Sequence, residues 1–406
     1  MAEPTRPGAG ASAGPLAGVR VLDLSRLVAG NQLTVLLGDF GADVIKVEQP
    51  GPGDPLRHWT VDGQEVHWKV YGRNKRSIAL DLKNADAREL LLQLSKSAAL
   101  VVESFRPGGL ERLGLGPEVL HGRNPALVLV RISGWGETGC FAGKPGFGTL
   151  VEAMAGFAAM NGFADREPVL PPGAMADMVA GTYGAFAGLA ALRHAAATGA
   201  GQVIDLSLFE PLFSILGPMA ASYRLTGSVP RRTGSRSAST APRNVYRTRD
   251  GGWLALSGSM QTMTERLFAA IGRRELIDDP RFCDNAARLR NVEELDRILG
   301  DYFGARTLRE NLAEMDQFGV TAAPVSDIAA LIDSDYFRTR GVVVDGPDAD
   351  GARPVPMHAV VPRLSETPGA IGRPAPRVGE HTREVLRPLV SRARWRELAA
   401  AGVVAP

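Results

Sequence analysis

Cysteine is scarce in this chain of 406 residues, where only Cys140 and Cys283 occur. The two lie far apart, and neither a CxxC pair nor a cysteine–histidine cluster accompanies them. None of the six histidines has the spacing that metal ligands usually show. The sequence therefore predicts no disulfide framework and no metal site, and it favours a reducing, cytoplasmic setting.

An excess of one charge and long apolar runs are also missing. The formal net charge is +2, whereas nucleic-acid-binding domains usually carry a basic stripe, so no nucleic-acid partner is expected. No charge-free apolar run reaches the roughly 18 residues that a membrane span needs. The most apolar long segment, 174–197, contains Asp177 and Arg193. We therefore predict a buried helix there and no membrane partner.

Three common site motifs are absent as well. No GxGxxG follows the first predicted strand, and no GxxxxGK[ST] phosphate loop occurs. The GxSxG turn that carries a nucleophilic serine is missing too. Motifs therefore support neither a dinucleotide enzyme, nor a P-loop enzyme, nor a serine hydrolase of that type.

Apolar runs rich in Val, Ile and Leu alternate with helix-like segments in the N-terminal half. The predicted strands are 19–24, 42–48, 77–82, 99–105, 127–133 and 202–208. The main predicted helices are 32–40, 85–97, 148–162, 174–197 and 210–225. Strands joined through helices are parallel, and continuous apolar runs suit a sheet buried on both faces. An open, doubly wound α/β sheet is the expected architecture.

Composition divides the chain further. Residues 1–15 are mostly Ala, Gly, Pro and Ser and are predicted to be a disordered lead-in. Residues 16–226 form the predicted large domain. The stretch 227–244 is basic and rich in Ser, Thr, Pro and Gly, as in a linker. A smaller α+β domain is predicted for 245–340, followed by a C-terminal segment, 341–406.

Asp177 is the best candidate nucleophile. Pro and Gly before an alanine-rich run indicate a helix start, which places Asp177 in the first turn, where the helix dipole stabilises an anion. Gly181, Gly184 and Gly188 share its helix face. The segment alone is better explained by a charged first-turn residue and tight helix packing. The alternative is a nucleophile on a face that leaves room for a substrate.

Basic residues are grouped around the predicted strands. The group consists of Arg73, Lys75, Arg76, Lys83, Arg106, Arg112 and Lys144. Ligands of open α/β sheets bind beyond the C-terminal ends of the strands, and Arg and Lys there suit phosphates. Each residue alone is better explained as a surface cation, and the grouping is what favours a phosphorylated ligand.

Six blocks together resemble the class III CoA-transferase family, which includes formyl-CoA and carnitine CoA-transferases. They are 16–24 (LAGVRVLDL), 38–48 (GDFGADVIKVE), 74–83 (NKRSIALDLK), 103–108 (ESFRPG), the segment around Asp177, and 376–382 (PRVGEHT). The resemblance extends from about Pro15 to the C-terminus. It implies a Rossmann-like, CoA-binding large domain, a small domain, a C-terminal segment that returns to the large domain, and an interlocked homodimer.

The family's catalytic aspartate falls on Asp177. The resemblance implies that this carboxylate attacks an acyl-CoA thioester to form a mixed anhydride, and that CoA then forms an aspartyl thioester. A free carboxylic acid finally accepts the CoA, with no metal or tightly bound cofactor. The CoA contacts implied by matching positions are Leu27, Val28, Ala29, Leu80, Lys83, Ser104, Phe105, Arg106, Arg112 and Lys144.

The chain also departs from its relatives. Formyl-CoA transferases carry Gln at the position of Val28 and a glycine-rich loop at 234–239, so formate and oxalate are not favoured as substrates. Arg236 and Arg243 could face an acceptor carboxylate or be solvated loop cations. Related racemases pair their aspartate with a histidine, which 144–149 lacks. Racemisation and CoA binding without catalysis stay as alternatives.

Overall fold

The computed structural model describes residues 14–351 and 353–404. Most of the predicted disordered lead-in, residues 1–13, lies outside the described residues. The strands are β1 Arg20–Asp23, β2 Asp43–Glu48, β3 Lys75–Ala79, β4 Leu100–Glu103, β5 Val128–Ser133, β6 Val203–Ser207, β7 Arg243–Arg247, β8 Trp253–Ser257, β9 Ala322–Pro324, β10 Val343–Gly346 and β11 Val355–His358.

Eighteen α-helices are present among the described residues. They are α1 Leu27–Asp39, α2 Val66–Tyr71, α3 Ala85–Ser95, α4 Gly109–Arg112, α5 Pro117–Arg123, α6 Gly148–Met154, α7 Phe157–Met160, α8 Met175–Thr198, α9 Phe209–Ser214, α10 Met219–Thr226, α11 Gln261–Ala270, α12 Asn285–Arg290, α13 Val292–Gly304, α14 Leu308–Gln317, α15 Ile328–Ile332, α16 Asp335–Arg340, α17 Thr382–Leu386 and α18 Arg392–Ala400. Short 3₁₀ turns occupy Pro55–His58 and Arg274–Ile277.

The largest sheet has six strands in the order β3-β2-β1-β4-β5-β6. All of its strand pairs are parallel. This is the Rossmann order, in which the direction of winding reverses between β1 and β4. The predicted open α/β sheet is therefore confirmed. A ligand crevice is expected where β1 and β4 end, at Asp23 and Glu103.

Both faces of this sheet are covered. Successive residues of a strand point to opposite faces, so Val21 packs with the helices α1 and α8 while Leu22 packs with α3 and α5. The strand β5 shows the result most clearly, because Val128, Leu129 and Val130 are all fully buried. The continuous apolar runs thus follow from burial on two faces.

Two compact units are present. The first comprises the described residues of 14–155, Pro171–Gly217 and 341–404, and it includes the six-stranded sheet. The second comprises Gly156–Leu170 and Pro218–Arg340. Its antiparallel sheet has the order β7-β8-β9 and packs on a core of its own. The strands β7 and β8 form an antiparallel hairpin whose turn contains Asp250-Gly251-Gly252. The predicted domain boundaries stay predictions.

The C-terminal segment covers the free edge of β3 within the first unit. The backbone amide of His381 donates to the carbonyl oxygen of Ser77 over 2.8 Å, and the amide of Ala79 donates to Oγ1 of Thr382 over 3.0 Å. Leu80 also forms an isolated bridge with Val404. Edge strands left open invite pairing with other chains, and this edge is covered instead.

Several helices differ from the predictions. Helix α1 begins at Leu27 rather than residue 32, and two long predicted helices are each split. The predicted helix 148–162 breaks at Gly156, where φ is +95°, and 210–225 breaks at Gly217, where φ is +68°. Glycine tolerates these left-handed angles without steric cost, so it ends a helix where the apolar pattern continues.

Helix α8 is long and apolar enough to cross a membrane by length and composition, the one such helix in the described part of the chain. This is weak evidence for a span, because 39% of its most apolar window is buried in the protein. Ala180, Gly181 and Gly184 are among its buried residues, and they face α1. The helix is therefore part of the core of the first unit.

Candidate active site

The loops that follow β1, β4 and β5 surround a cavity of about 330 Å³ together with the N-terminus of α8. We call it the aspartate cavity. Its lining includes seven of the residues singled out from the sequence: Leu27, Ala29, Ser104, Phe105, Arg106, Lys144 and Asp177. These residues come from four separate stretches of sequence. The parallel sheet brings them together because its strands all end at the same edge.

Asp177 lies in the first turn of α8, as predicted. Burial, assisted by the nearby charge of Glu152, raises the pKa of Asp177 from 3.8 to about 6. The backbone amides of Ala29 and of Asp177 itself oppose that rise by favouring the ionised form. At neutral pH the carboxylate is therefore mostly ionised but poorly stabilised, which suits a nucleophile.

Glu152 lies on α6 with its side chain buried, and it accepts a 3.1 Å hydrogen bond from the backbone amide of Ala176. It thus serves as an anchor for the residue that precedes Asp177. Its carboxylate also places a like charge near the candidate nucleophile. Sequence reasoning missed Glu152, because nothing near it in the sequence links α6 to α8.

The glycine face of α8 does not make room for a substrate, so that part of the prediction is wrong. A Cβ atom on Gly181 would lie 2.6 Å from the carbonyl oxygen of Ala29, and one on Gly184 would lie 2.6 Å from Cδ1 of Leu33. Both glycines therefore let α8 pack closely on α1. The space beside Asp177 comes from Gly148, where a Cβ atom would lie 2.4 Å from Oδ2 of Asp177.

A second cavity, of about 360 Å³, lies on the other side of the loop that follows β1. We call it the outer cavity, and Leu80, Lys83 and Phe105 are among its lining residues. Arg26, Pro55 and Phe105 line both cavities. The two cavities therefore share a wall, as a long ligand with two chemically different ends would require.

Four exposed cations line these cavities: Arg26, Lys83, Arg106 and Lys144. None of the four forms an ion pair with a carboxylate within the described residues. Their charge is therefore available to an anionic ligand such as a phosphate. No pattern in the sequence singles out Arg26, although it directly precedes the predicted contact Leu27.

Two predicted contacts lie elsewhere. Val28 is only 3% exposed and packs with Leu56 and Trp68, so its side chain lines neither cavity. It points away because it follows Leu27 in a helix whose other face lines the aspartate cavity. Arg112 is exposed at the end of α4 and lines neither cavity.

The two loop arginines lie in the second unit. Nε of Arg236 lies 2.6 Å from Oδ2 of Asp296, which also accepts hydrogen bonds from Asn244 and Tyr246. Arg236 is thus committed to a carboxylate of its own chain. Arg243 lines a separate cavity of that unit, of about 930 Å³, and stays a candidate for an acceptor carboxylate.

Leu27 carries local backbone strain. Its φ of +63° is in the left-handed region, which costs a residue with a side chain roughly 1–2 kcal/mol. Five buried polar side chains are linked into a closed ring by hydrogen bonds and ion pairs, and two of them bond to the backbone of Leu27. We call them the polar ring: Asp23, Asn31, Lys46, Asp54 and Lys75. Strain next to a cavity is frequently tied to function, since the surrounding structure must hold it in place.

The comparisons with known proteins agree with this architecture. The family model described as CoA-transferase family III matches residues 16–382. A succinyl-CoA–D-citramalate CoA-transferase of Chloroflexus aurantiacus is 39% identical over 93% of this chain and 94% of its own length. A succinate–glutarate CoA-transferase of Agrobacterium fabrum is 34% identical over 92% of this chain and 96% of its own.

A solved structure gives the same result for the fold. The crystal structure of a CAIB/BAIF family protein from Brucella suis matches with a TM-score of 0.83 and 32% sequence identity. The match covers 93% of this chain and 100% of the other. Sequence and fold thus agree over nearly the whole length, and the resemblance noted from the sequence blocks is confirmed. The chain belongs to CoA-transferase family III.

Proposed function

We propose that this CoA-transferase moves CoA from an acyl-CoA thioester to a free carboxylic acid, with Asp177 as the covalent nucleophile. The observation that carries the proposal is the position of Asp177. It is a partly buried carboxylate at the wall of a cavity, with no cation paired to it among the described residues. A carboxylate needed only for stability would be paired or solvated.

The exchange balances without a metal or a redox step. A carboxylate oxygen of Asp177 attacks the thioester carbonyl carbon and the C–S bond breaks. The CoA thiolate departs, and Asp177 and the acyl group are joined as a mixed anhydride. The thiolate attacks the aspartyl carbonyl carbon and releases the donor acid, which leaves an aspartyl-CoA thioester. The acceptor carboxylate then repeats the two steps in reverse. Covalent catalysis of this kind replaces one difficult exchange by easier ones.

The two cavities suit the two parts of CoA. The aspartate cavity would receive the thioester, and the outer cavity with Lys83 would receive the nucleotide end. Lys83 and Arg26 line the outer cavity and would face the phosphates there, while Arg106 and Lys144 add positive charge to the aspartate cavity. All four are exposed and lack carboxylate partners among the described residues. The remaining contacts in this proposal are Leu27, Ala29, Leu80, Ser104 and Phe105.

The printed names of the relatives support a narrower choice of substrates. They pair succinyl-CoA with citramalate and with malate, and succinate with glutarate. We propose succinyl-CoA as the donor and a dicarboxylic acid as the acceptor. An interlocked homodimer is part of the same proposal and is supported by the family resemblance alone. A cytoplasmic setting is also part of it and is supported by the scarcity of cysteine.

No histidine lines the aspartate cavity among the described residues. A racemase must remove and return a proton on opposite faces, which calls for a second base beside the aspartate. The geometry therefore favours transfer of CoA over racemisation.

Hydroxylamine trapping tests this proposal directly. The enzyme is incubated with succinyl-CoA and then with hydroxylamine, and its peptides are analysed by mass spectrometry. Hydroxylamine attacks activated aspartyl carbonyls, so we expect a hydroxamate at Asp177. The buried neighbour Glu152 serves as an internal control and should stay unmodified. Asp177→Asn should abolish both the label and CoA exchange. An unmodified Asp177 across a wide panel of acyl-CoA donors would refute the nucleophile.

A further inference from the structure

Both backbone groups of the strained residue Leu27 are held by side chains. Its amide donates to Oδ1 of Asp54 over 3.0 Å, and its carbonyl oxygen accepts from Nδ2 of Asn31 over 2.6 Å. Nδ2 of Asn31 also donates to Oδ2 of Asp54 over 2.8 Å. Asp54 and Asn31 thus bond to each other and to the two peptide units on either side of the Leu27 Cα atom. The three residues form a closed clamp around a left-handed φ.

The three other members of the polar ring, Asp23, Lys46 and Lys75, hold Asp54 and Asn31 in place. Nζ of Lys46 lies 2.9 Å from Oδ2 of Asp54, and Nζ of Lys75 donates to Oδ1 of Asn31 over 2.6 Å. Each lysine also lies 3.2 Å from an oxygen of Asp23. Every member of the ring is at most 2% exposed. Water therefore cannot replace these partners, and the clamp has little freedom to relax.

The clamp reaches the candidate nucleophile through two residues of backbone. Leu27 and Ala29 both line the aspartate cavity, and the amide of Ala29 favours the ionised form of Asp177. Gly181 brings α8 close to the same residue, since a Cβ atom on Gly181 would lie 2.6 Å from the carbonyl oxygen of Ala29. The conformation of Leu27 thus sets where the amide of Ala29 points.

We propose that Asp54 and Asn31 are positioning residues that hold Leu27 in its left-handed conformation and so fix the wall of the aspartate cavity that Leu27 and Ala29 form beside Asp177. This inference rests on the proposed function of Asp177. Glu152, on α6, is the charged group that faces Asp177, while Arg26, Arg106 and Lys144 line the same cavity. Lys46 faces Asp54 directly, and the carboxylate of Glu48 accepts the Asp54 amide.

A glycine substitution provides the decisive test. Glycine adopts positive φ without steric cost, whereas alanine does not, and both remove the leucine side chain. We therefore compare Asn31→Ala alone with Asn31→Ala combined with Leu27→Gly or with Leu27→Ala. Asn31→Ala leaves the pair between Lys46 and Asp54 intact. A second series uses Asp54→Asn alone and combined with Leu27→Gly or with Leu27→Ala. Asp54→Asn removes the negative charge of the clamp.

The measurement is the pH profile of kcat/KM together with the rate of hydroxamate formation at Asp177. We expect Asn31→Ala to lower kcat/KM by about 10–100-fold, since a small displacement of a positioned group has effects of that size. Its acidic limb should move to higher pH, because Asp177 loses an amide that favours its ionised form. Leu27→Gly should restore at least tenfold more activity than Leu27→Ala in the same background.

Two results of the activity measurements would overturn the inference. One is equal activity of the glycine and alanine combinations, and the other is an unmoved acidic limb in a folded Asn31→Ala enzyme. A crystal structure of Asn31→Ala that retains a positive φ at Leu27 would do so as well, without any activity measurement. Absence of the label in the wild-type enzyme is a separate result, because it refutes the nucleophile rather than the clamp.

Discussion

Two groups of buried carboxylates in the first unit have opposite surroundings. Burial alone would raise the pKa of Asp54, but Lys46 and the amides of Leu56 and Leu27 outweigh it and hold the value at about 2. Burial raises the pKa of Asp177 to about 6, and Glu152 acts in the same direction. The two pKa values move in opposite directions because Asp54 has a cation beside it, Lys46, whereas Asp177 has none among the groups that act on its pKa.

The comparison shows how one sheet edge can hold both a rigid support and a candidate nucleophile. In the polar ring two lysines balance two aspartates, so every charge is paired and the local backbone is fixed. At Asp177 the charge has only backbone amides to support it. A carboxylate with unsatisfied charge is a better nucleophile and a poorer contributor to stability.

The largest expected effect comes from breaking the polar ring. Asp23→Asn leaves Lys46 and Lys75 buried with one negative partner fewer, and such changes typically cost about 3–5 kcal/mol. Urea denaturation followed by circular dichroism measures the loss. The control Glu89→Gln removes an exposed ion pair with Arg123 and should cost under about 1 kcal/mol. Equal losses in the two variants would show that the ring is not the support proposed.

Removing the charge of Asp177 should have the opposite sign. A carboxyl whose folded-state pKa is raised from 3.8 to about 6 destabilises the fold when ionised, by up to about 3 kcal/mol. Asp177→Asn should therefore stabilise the protein above pH 6, and the gain should disappear as the pH falls towards 4.

Denaturation at pH 8 and at pH 4 measures this difference. Asp165→Asn, at an exposed position, is the matched control and should change stability little at either pH. A loss of stability at pH 8 in Asp177→Asn would mean that this carboxylate is paired like those of the polar ring.

Gly148→Ala tests whether room beside Asp177 is required. The new Cβ atom would lie 2.4 Å from Oδ2 of Asp177, so the carboxylate must move. We expect kcat/KM to fall about 10–100-fold with the fold retained, as for other displacements of a reacting group. Gly300→Ala, in α13, is the control, because nothing lies within 4 Å of the added atom. Similar activity in Gly148→Ala and Gly300→Ala would show that activity does not need the free space beside Asp177.

The smallest effect is expected from Glu152→Gln. The amide keeps an oxygen that can accept the hydrogen bond of Ala176, while the like charge beside Asp177 is removed. The pKa of Asp177 should fall, so the acidic limb of kcat/KM should move to lower pH by less than about one unit. A shift to higher pH would show that Glu152 does not act through its charge.

The sequence predicts the sheet well and the site only in part. The strands are apolar runs buried on two faces, a signal contained in each run itself, as in β5. Asp177 was found because its helix start is also a local signal. Gly148 and Glu152 lie on α6, and their contact with Asp177 depends on packing between elements that no local pattern records.

The start of α1 shows a different cause of error. Its N-cap residue, Arg26, provides no side-chain cap, and Leu27 begins the helix at a positive φ. Both features oppose the usual helix-start pattern. Asp54, far along the chain, supplies the missing partner for the amide of Leu27. Helix-start patterns, which consider only neighbouring residues, fail here because the hydrogen-bond partner of the Leu27 amide comes from a separate segment of the chain.

The covered edge of β3 has a consequence for biosynthesis. Ser77 and Ala79 are made early, but their partners His381 and Thr382 are translated about 300 residues later. The exposed edge of β3 therefore stays without these partners during most of translation. The first unit can be completed only after residues 381 and 382 have left the ribosome.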